Sequence, residues 1–182
     1  VAFAAENLVD GAFYNAGQSC CGIERIYVAS EVFDDFIDAY VALTKQYVIG
    51  DPLAEGTTLG PLVDSKSAAF VRDQVAAACA GGAKQLVGDA DFDVPDRSDC
   101  YLAPQVLTNV DHSMALMHEE TFGPAIGIMR ISNESEGIAL MNDSEFGLTA
   151  SIWSGDFDRA SRIAEDVEAG TVFANRCDYL DP

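Results

Sequence analysis

Apolar side chains along the 182-residue chain fall either at helical spacing or in short continuous runs. Spacing of three and four residues predicts helices, and runs of branched or aromatic residues predict strands. The helical pattern occurs in residues 5–16, 30–47, 64–80, 134–142 and 156–168. The strand pattern occurs in residues 25–29, 84–88, 101–109, 125–131, 149–154 and 171–174. This alternation predicts an α/β fold, with an open twisted sheet, mostly parallel, and helices on both faces.

Residues that start or stop helices lie at several of the predicted boundaries. Gly17 would end the first helix, and Ser30 is placed to cap the second. On the first helix, Leu8 and Phe13 would share the apolar side. The chain shows no repeat and no internal linker, so we expect a single domain over residues 1–182.

The charge balance excludes several classes of partner. The chain has ten Lys and Arg residues and thirty Asp and Glu residues, which gives a net charge of −20. A nucleic-acid binder needs clustered basic side chains, and an anionic membrane surface would repel such a chain. No apolar run approaches the roughly 20 residues that span a bilayer, and the N-terminus lacks the positive flank of a secretory signal. We therefore expect a cytoplasmic protein with neither nucleic-acid nor membrane partners.

The cysteines and histidines do not form a pattern typical of disulfide or metal sites. The cysteine count is five, and Cys20 and Cys21 are adjacent, which argues against a disulfide framework and for a reducing compartment. No Cys-x-x-Cys occurs, and His112 and His118 are the only imidazoles, so no metal site is expected. His118 and the glutamate after it begin like a metalloprotease helix, but Phe122 stands where the second histidine is required.

The most distinctive local feature is a thiol in a turn. The predicted helix breaks at Gly17, Cys20 follows, and a predicted strand begins at Arg25. A thiol at the end of an element can be accessible and close to backbone N–H donors, as a nucleophile requires. The alternative is a small buried thiol with a packing role, which is the more common fate of a cysteine. The pattern alone leaves both open and favours the second.

Several distinctive motifs follow one another along the chain. The first is the cysteine segment Phe13-x-x-x-Gly17-Gln18-x-Cys20-Cys21-Gly22. The others are Gly60-Pro61-Leu62, Glu119-Glu120-Thr121-Phe122-Gly123-Pro124, Asn142-Asp143-Ser144-Glu145-Phe146-Gly147-Leu148-Thr149-Ala150-Ser151 and Gly170-Thr171-Val172-Phe173-Ala174-Asn175. Together they cover nearly the whole chain, and in this order they resemble the motifs of the aldehyde dehydrogenase superfamily, whose cysteine signature the first segment matches.

The resemblance implies a catalytic role for Cys20 and cofactor contacts for two other residues. Cys20 would attack an aldehyde, forming a thiohemiacetal and then a thioester, and its backbone N–H would be one oxyanion donor. Glu120 would bond the ribose of NAD or NADP, and Phe122 would pack beside the nicotinamide. Outside the motif, Glu120 would be interpreted as a solvated charge and Phe122 as a core aromatic.

The resemblance also implies a substrate pocket. Its walls would include Tyr14, Phe13, Ser19 and Cys21, and the segment Arg176-Cys177-Asp178-Tyr179 resembles a substrate-anchoring loop, which adds Cys177 to the pocket. Arg25 also fits the family pattern and is assigned to structure, where it would pair with an acid.

Several family features do not occur within these residues. They are the Glu-x-Gly-Gly glutamate that activates water, the side-chain amide of the oxyanion hole and the dinucleotide-binding domain. The expectation is therefore the catalytic-domain segment of a longer, homo-oligomeric NAD(P)+-dependent enzyme that acts on a small aldehyde, with the segment alone inactive. The alternative is a truncated, non-catalytic relative that serves as a scaffold or binding module. A thiol hydrolase fits less well, because neither histidine stands in an obvious base position.

Overall fold

The computed structural model describes residues 1–95 and 99–177. Within these ranges, short turns and loops join the α-helices α1 (Ala2–Phe13), α2 (Phe33–Thr44), α3 (Ser65–Ala80), α4 (Glu134–Asn142) and α5 (Phe157–Glu165). The strands are β1 (Arg25–Ala29), β2 (Lys84–Val87), β3 (Gln105–Thr108), β4 (Ala125–Ile131), β5 (Thr149–Ile152) and β6 (Thr171–Ala174). The expected α/β fold is confirmed.

The main sheet has four strands in the order β1-β4-β3-β2. Strand β4 pairs in parallel with β1 on one side and with β3 on the other, and β2 is antiparallel to β3. The sheet is therefore open and mostly parallel, as the alternation of elements predicts.

Helices cover both faces of this sheet. Successive side chains of a strand point to opposite faces, so a strand with consecutive apolar residues contributes to a core on each side. Val106 of β3 is fully buried in a core that it shares with α1 and α2. Its neighbour Leu107 is fully buried in a second core, against Val71 and Val75 of α3. Two apolar cores thus hold the sheet between two layers of helices.

Strands β5 and β6 form a separate, parallel two-stranded sheet. Among the described residues, β1 pairs only with β4 and β5 pairs only with β6. One edge of each strand therefore has no strand beside it, and the residues of both strands line the same cleft. Strand periodicity predicts each strand separately, but it does not reveal that the six are divided between two sheets.

Several predicted boundaries differ from the structure, and local features explain the two that follow. The strand predicted over 101–109 is reduced to Gln105–Thr108, since Pro104 has no N–H to donate to a ladder. The second helix begins at Phe33 rather than after Ser30. Ser30 does not cap it, because its hydroxyl donates to the carbonyl oxygen of Ile131 at 2.8 Å.

The core on the α3 face can be tested by a large-to-small change. Leu107→Ala should lower the free energy of unfolding by about 2–5 kcal/mol, because the cavity that it leaves is closed on all sides. Leu53→Ala is the matched control, since Leu53 is 95% exposed and its truncation should change that free energy by less than about 0.5 kcal/mol. Urea unfolding monitored by circular dichroism measures both, and equal losses would contradict the assignment of Leu107 to the core.

Candidate active site

A left-handed turn places Cys20 beyond the end of α1. After Phe13 the backbone φ angles of Asn15, Ala16 and Gly17 are 51°, 56° and 73°. Asn15 supports this turn, because its side-chain amide donates to the carbonyl oxygen of Gln18 at 2.9 Å. The chain therefore reverses sharply instead of continuing as a helix, which is why the predicted helix over 5–16 ends early, at Phe13.

The Gln18 side chain ties this turn to the loop that contains Gly60-Pro61-Leu62. Its Oε1 accepts a hydrogen bond from the Val63 N–H at 2.8 Å, and its Nε2 donates to the carbonyl oxygen of Asn15 at 3.0 Å. One amide group therefore joins two segments that are 45 residues apart in sequence.

Gly17 is packed against the backbone of another motif. A Cβ at Gly17 would overlap the carbonyl group of Gly123, and a Cβ at Gly123 would overlap a methyl group of Val71 on α3. Both positions therefore require glycine for space, and Gly17 also requires it for its positive φ. This contact brings the cysteine turn and the Glu119–Pro124 segment together.

Cys20 lies exposed at a wide cleft of about 1110 Å³. Glu24, Glu119 and Glu120 line the same cleft, which continues between β1 and β5. A thiol that is open to solvent meets the accessibility requirement of a nucleophile. The structure therefore places Cys20 and Glu120, two of the predicted site residues, on one surface.

The Glu119–Pro124 segment is held in place by the carboxylate of Glu24. One oxygen of Glu24 accepts the Thr121 N–H at 3.0 Å and the other accepts the Phe122 N–H at 3.1 Å. Phe122 has a φ of 50°, and its ring is 40% exposed, whereas Thr121 is buried. Glu120 is exposed next to them.

Burial raises the pKa of the Glu24 carboxyl above its ordinary value. The backbone N–H groups of Thr121 and Phe122 oppose this shift, because they stabilise the charged form, and the nearby Glu120 adds to it by repulsion. Sequence reasoning missed Glu24. The available signal was an acidic residue directly before an apolar strand, where an unpartnered charge would be costly to bury.

Arg25, the next residue, holds two other segments. Its guanidinium donates to the carbonyl oxygen of Met117 at 2.9 Å and to the hydroxyl of Ser144 at 2.7 Å. The structural role expected for Arg25 fits these contacts, but these hydrogen-bond partners are a carbonyl and a hydroxyl rather than the expected carboxylate.

The side chain of Phe13 does not form a pocket wall, which corrects that expectation. It is 1% exposed and lies edge-on to the rings of Tyr40 and Tyr47 in the core. Its position in the helical pattern, on the apolar side with Leu8, predicts this burial. Tyr14, one residue later, is 38% exposed.

The remaining pocket residues lie outside the lining of the cleft. Ser19 and Cys21 are half-buried, and their side chains contact each other at 3.5 Å. Cys177 is buried in the core cluster of α1, and burial raises the pKa of its thiol to about 11. Asp178 and Tyr179, the last two residues of the predicted anchoring loop, lie outside the described residues.

Both histidines contact other side chains. Nε2 of His112 lies 2.7 Å from the Tyr27 hydroxyl and its Nδ1 lies 2.9 Å from Asp143, while His118 lies beside Glu119. In residues 1–95 and 99–177, no three potential metal-binding side chains come together. No helix in the same ranges is both long and apolar enough to cross a membrane.

The contact between the two glycines can be tested against a matched strain control. Gly17→Ala should lower the free energy of unfolding by well over 2 kcal/mol, because backbone overlap adds to the roughly 1–2 kcal/mol cost of a left-handed alanine. Gly56→Ala carries the left-handed cost alone, since Gly56 has a φ of 88° and open space around it. Thermal and urea unfolding give both values, and equal losses would show that the two backbones are not in close contact.

Comparison with known proteins identifies the family of the chain. The family model described as "Aldehyde dehydrogenase family" matches residues 1–181. An aldehyde dehydrogenase of Paenarthrobacter nicotinovorans is 38% identical over 172 residues, which cover 94% of this chain and 37% of the relative. The chain thus spans little more than a third of the length of the curated relatives that it matches.

Solved structures match over nearly the whole chain. The NADP-dependent glyceraldehyde-3-phosphate dehydrogenase of Bacillus halodurans, complexed with NADP, has a TM-score of 0.91 and 34% identity, covering 100% of this chain and 37% of its own. The NAD-dependent aldehyde dehydrogenase of Sinorhizobium meliloti has a TM-score of 0.90 and 30% identity, covering 97% of this chain and 35% of its own. By sequence motifs, family match and fold, the chain belongs to the aldehyde dehydrogenase family.

Proposed function

We propose that this chain is the catalytic-domain segment of an NAD(P)+-dependent enzyme that oxidises a small aldehyde to a carboxylic acid, with Cys20 as the nucleophile. The observation that carries the proposal is the exposed Cys20 thiol on a turn fixed by Gly17 and Gln18, with Glu120 on the same cleft. Two solved relatives are named as NAD- and NADP-dependent, which supports the cofactor class.

The chemistry at Cys20 follows from the properties of a thiol. The thiolate attacks the carbonyl carbon, a C–S bond forms, and the π electrons move to the oxygen, where the Cys20 backbone N–H can donate. When bound, the nicotinamide cofactor supplies the acceptor for the two electrons and the hydrogen that the thiohemiacetal carbon loses. Water then cleaves the resulting thioester, which releases the acid and restores the thiol.

The cofactor-facing residues suit a nicotinamide nucleoside. The exposed carboxylate of Glu120 can accept hydrogen bonds from ribose hydroxyls, and the half-exposed ring of Phe122 offers an apolar face to a flat heterocycle. Both belong to one segment, which Glu24 and the Gly17 contact hold beside the turn of Cys20.

Thiol labelling tests whether Cys20 is accessible in the way that the proposal requires. With iodoacetamide at about pH 8, Cys20 should react fastest of the five cysteines. Cys177 should react slowest, because it is buried and, with a pKa of about 11, only about one molecule in a thousand carries its thiolate. Peptide mass mapping gives the order, and Cys20→Ser identifies the fast site. Equal labelling of all five thiols would contradict a distinct role for Cys20.

Aldehyde oxidation tests the function itself. In the full natural chain that carries residues 1–182, Cys20→Ser should reduce aldehyde-dependent reduction of NAD+ or NADP+ by about a thousandfold or more, since the covalent step is lost. Cys79→Ser, a half-buried thiol on α3, is the matched control and should retain activity. Retained activity in Cys20→Ser would overturn the assignment. The segment 1–182 alone should show almost no turnover, and ready turnover would refute that expectation.

A further inference from the structure

Glu24 is a partly buried carboxylate near Cys20, and the chemistry of Cys20 assigns it no role. It lies four residues after Cys20, directly before β1, and lines the same cleft. Its two oxygens accept the Thr121 and Phe122 N–H groups at 3.0 and 3.1 Å. Removing a charged carboxylate from water is costly unless hydrogen bonds replace the lost hydration. The two bonds therefore fix the Glu24 carboxylate and the Thr121 and Phe122 amides relative to each other.

The segment that Glu24 holds cannot maintain its shape by regular secondary structure. It lies between a short helical turn at Ala115–Met117 and strand β4, and Phe122 adopts a left-handed φ of 50°, which is uncommon for a bulky residue. Such a conformation persists only where its surroundings determine it. The two bonds to Glu24 provide that constraint at the residues next to Glu120.

Arg25 binds the helical turn that leads into the same segment. Its guanidinium donates to the carbonyl oxygen of Met117 at 2.9 Å, while Glu24 binds Thr121 and Phe122. Two consecutive residues of opposite charge, just after the cysteine turn, therefore hold the chain before Glu119 and after Glu120. The exposed Glu120 lies between the two anchors.

We propose that Glu24 is a positioning residue for the nicotinamide cofactor. Through the Thr121 and Phe122 amides, it sets where the Glu120 carboxylate and the Phe122 ring meet the ribose and nicotinamide. This proposal rests on the proposed function, because it assumes that Glu120 and Phe122 face the cofactor. Glu24 itself contacts backbone atoms, so its effect on the cofactor is indirect.

Amide hydrogen exchange in the 182-residue chain tests the anchoring. Glu24→Gln keeps the size of the side chain but replaces one acceptor oxygen by an NH₂ donor, which cannot accept a backbone N–H. Exchange at Thr121 or Phe122, followed by NMR, should accelerate at least about tenfold, as expected for loss of a hydrogen bond to a charged group. Glu6→Gln, an exposed glutamate on α1, is the control and should leave both rates unchanged. Unchanged rates in Glu24→Gln would overturn the proposal.

Cofactor titration tests the positioning. In the full natural chain, calorimetric titration of NAD+ and of NADP+ should show that Glu24→Gln raises the Kd of the preferred cofactor about tenfold. Without cofactor, the rate of Cys20 labelling in the variant should stay within about twofold of the rate in the natural protein. This result shows that the segment is displaced while the rest of the site keeps its structure. Glu24→Asp keeps the charge but is one methylene shorter, so it should raise the Kd similarly and serves if Glu24→Gln fails to fold.

The outcomes separate this proposal from the function on which it rests. If the natural chain binds a cofactor and the Glu24 variants bind it equally well, the positioning role is wrong and the proposed function stands. If both Glu24 variants lose Cys20 labelling in proportion to cofactor affinity, Glu24 supports the fold in general and the proposal also fails. If the natural chain binds neither NAD+ nor NADP+, the proposed function and the role of Glu24 fail together.

Discussion

The site depends on the contact between two backbones that lack side chains at Gly17 and Gly123. At Gly17 the cysteine turn has no room for a Cβ beside the Gly123 carbonyl, and at Gly123 the same is true beside Val71 of α3. Three elements from distant parts of the sequence therefore meet at one point. Any side chain there would separate the thiol from the segment that carries Glu120, so the positions of both groups follow from one steric constraint.

Most of the fold could be predicted because element type depends on local periodicity. Each predicted helix and strand occurs in the structure, some with the predicted ends and others with shifted ends. The shifts have local causes, such as the missing N–H of Pro104 and the left-handed residues after Phe13. The division into two sheets could not be predicted, because β5 and β6 have the same strand pattern as the others and their pairing is a long-range property.

The site was only partly predictable, for related reasons. The motif around Cys20 is contiguous in sequence, so the thiol and the glycine that it needs are visible together. Phe13 belongs to the cysteine signature, but the signature does not specify whether its side chain faces a pocket or the core. Its position on the apolar side of the helix predicts the burial that is observed. The role of Glu24 could not be predicted, because the sequence does not show that the distant Thr121 and Phe122 amides bind its carboxylate.

Within residues 1–95 and 99–177, β1 and β5 each have one unpaired edge, which has a consequence for the behaviour of this chain in solution. A strand edge presents N–H and C=O groups that another chain can pair with, which makes such edges sites of aggregation. The net charge of −20 opposes that association, because two copies repel each other before their edges can meet. Added salt screens this repulsion, so the colloidal stability of the isolated segment is set by ionic strength as well as by its fold.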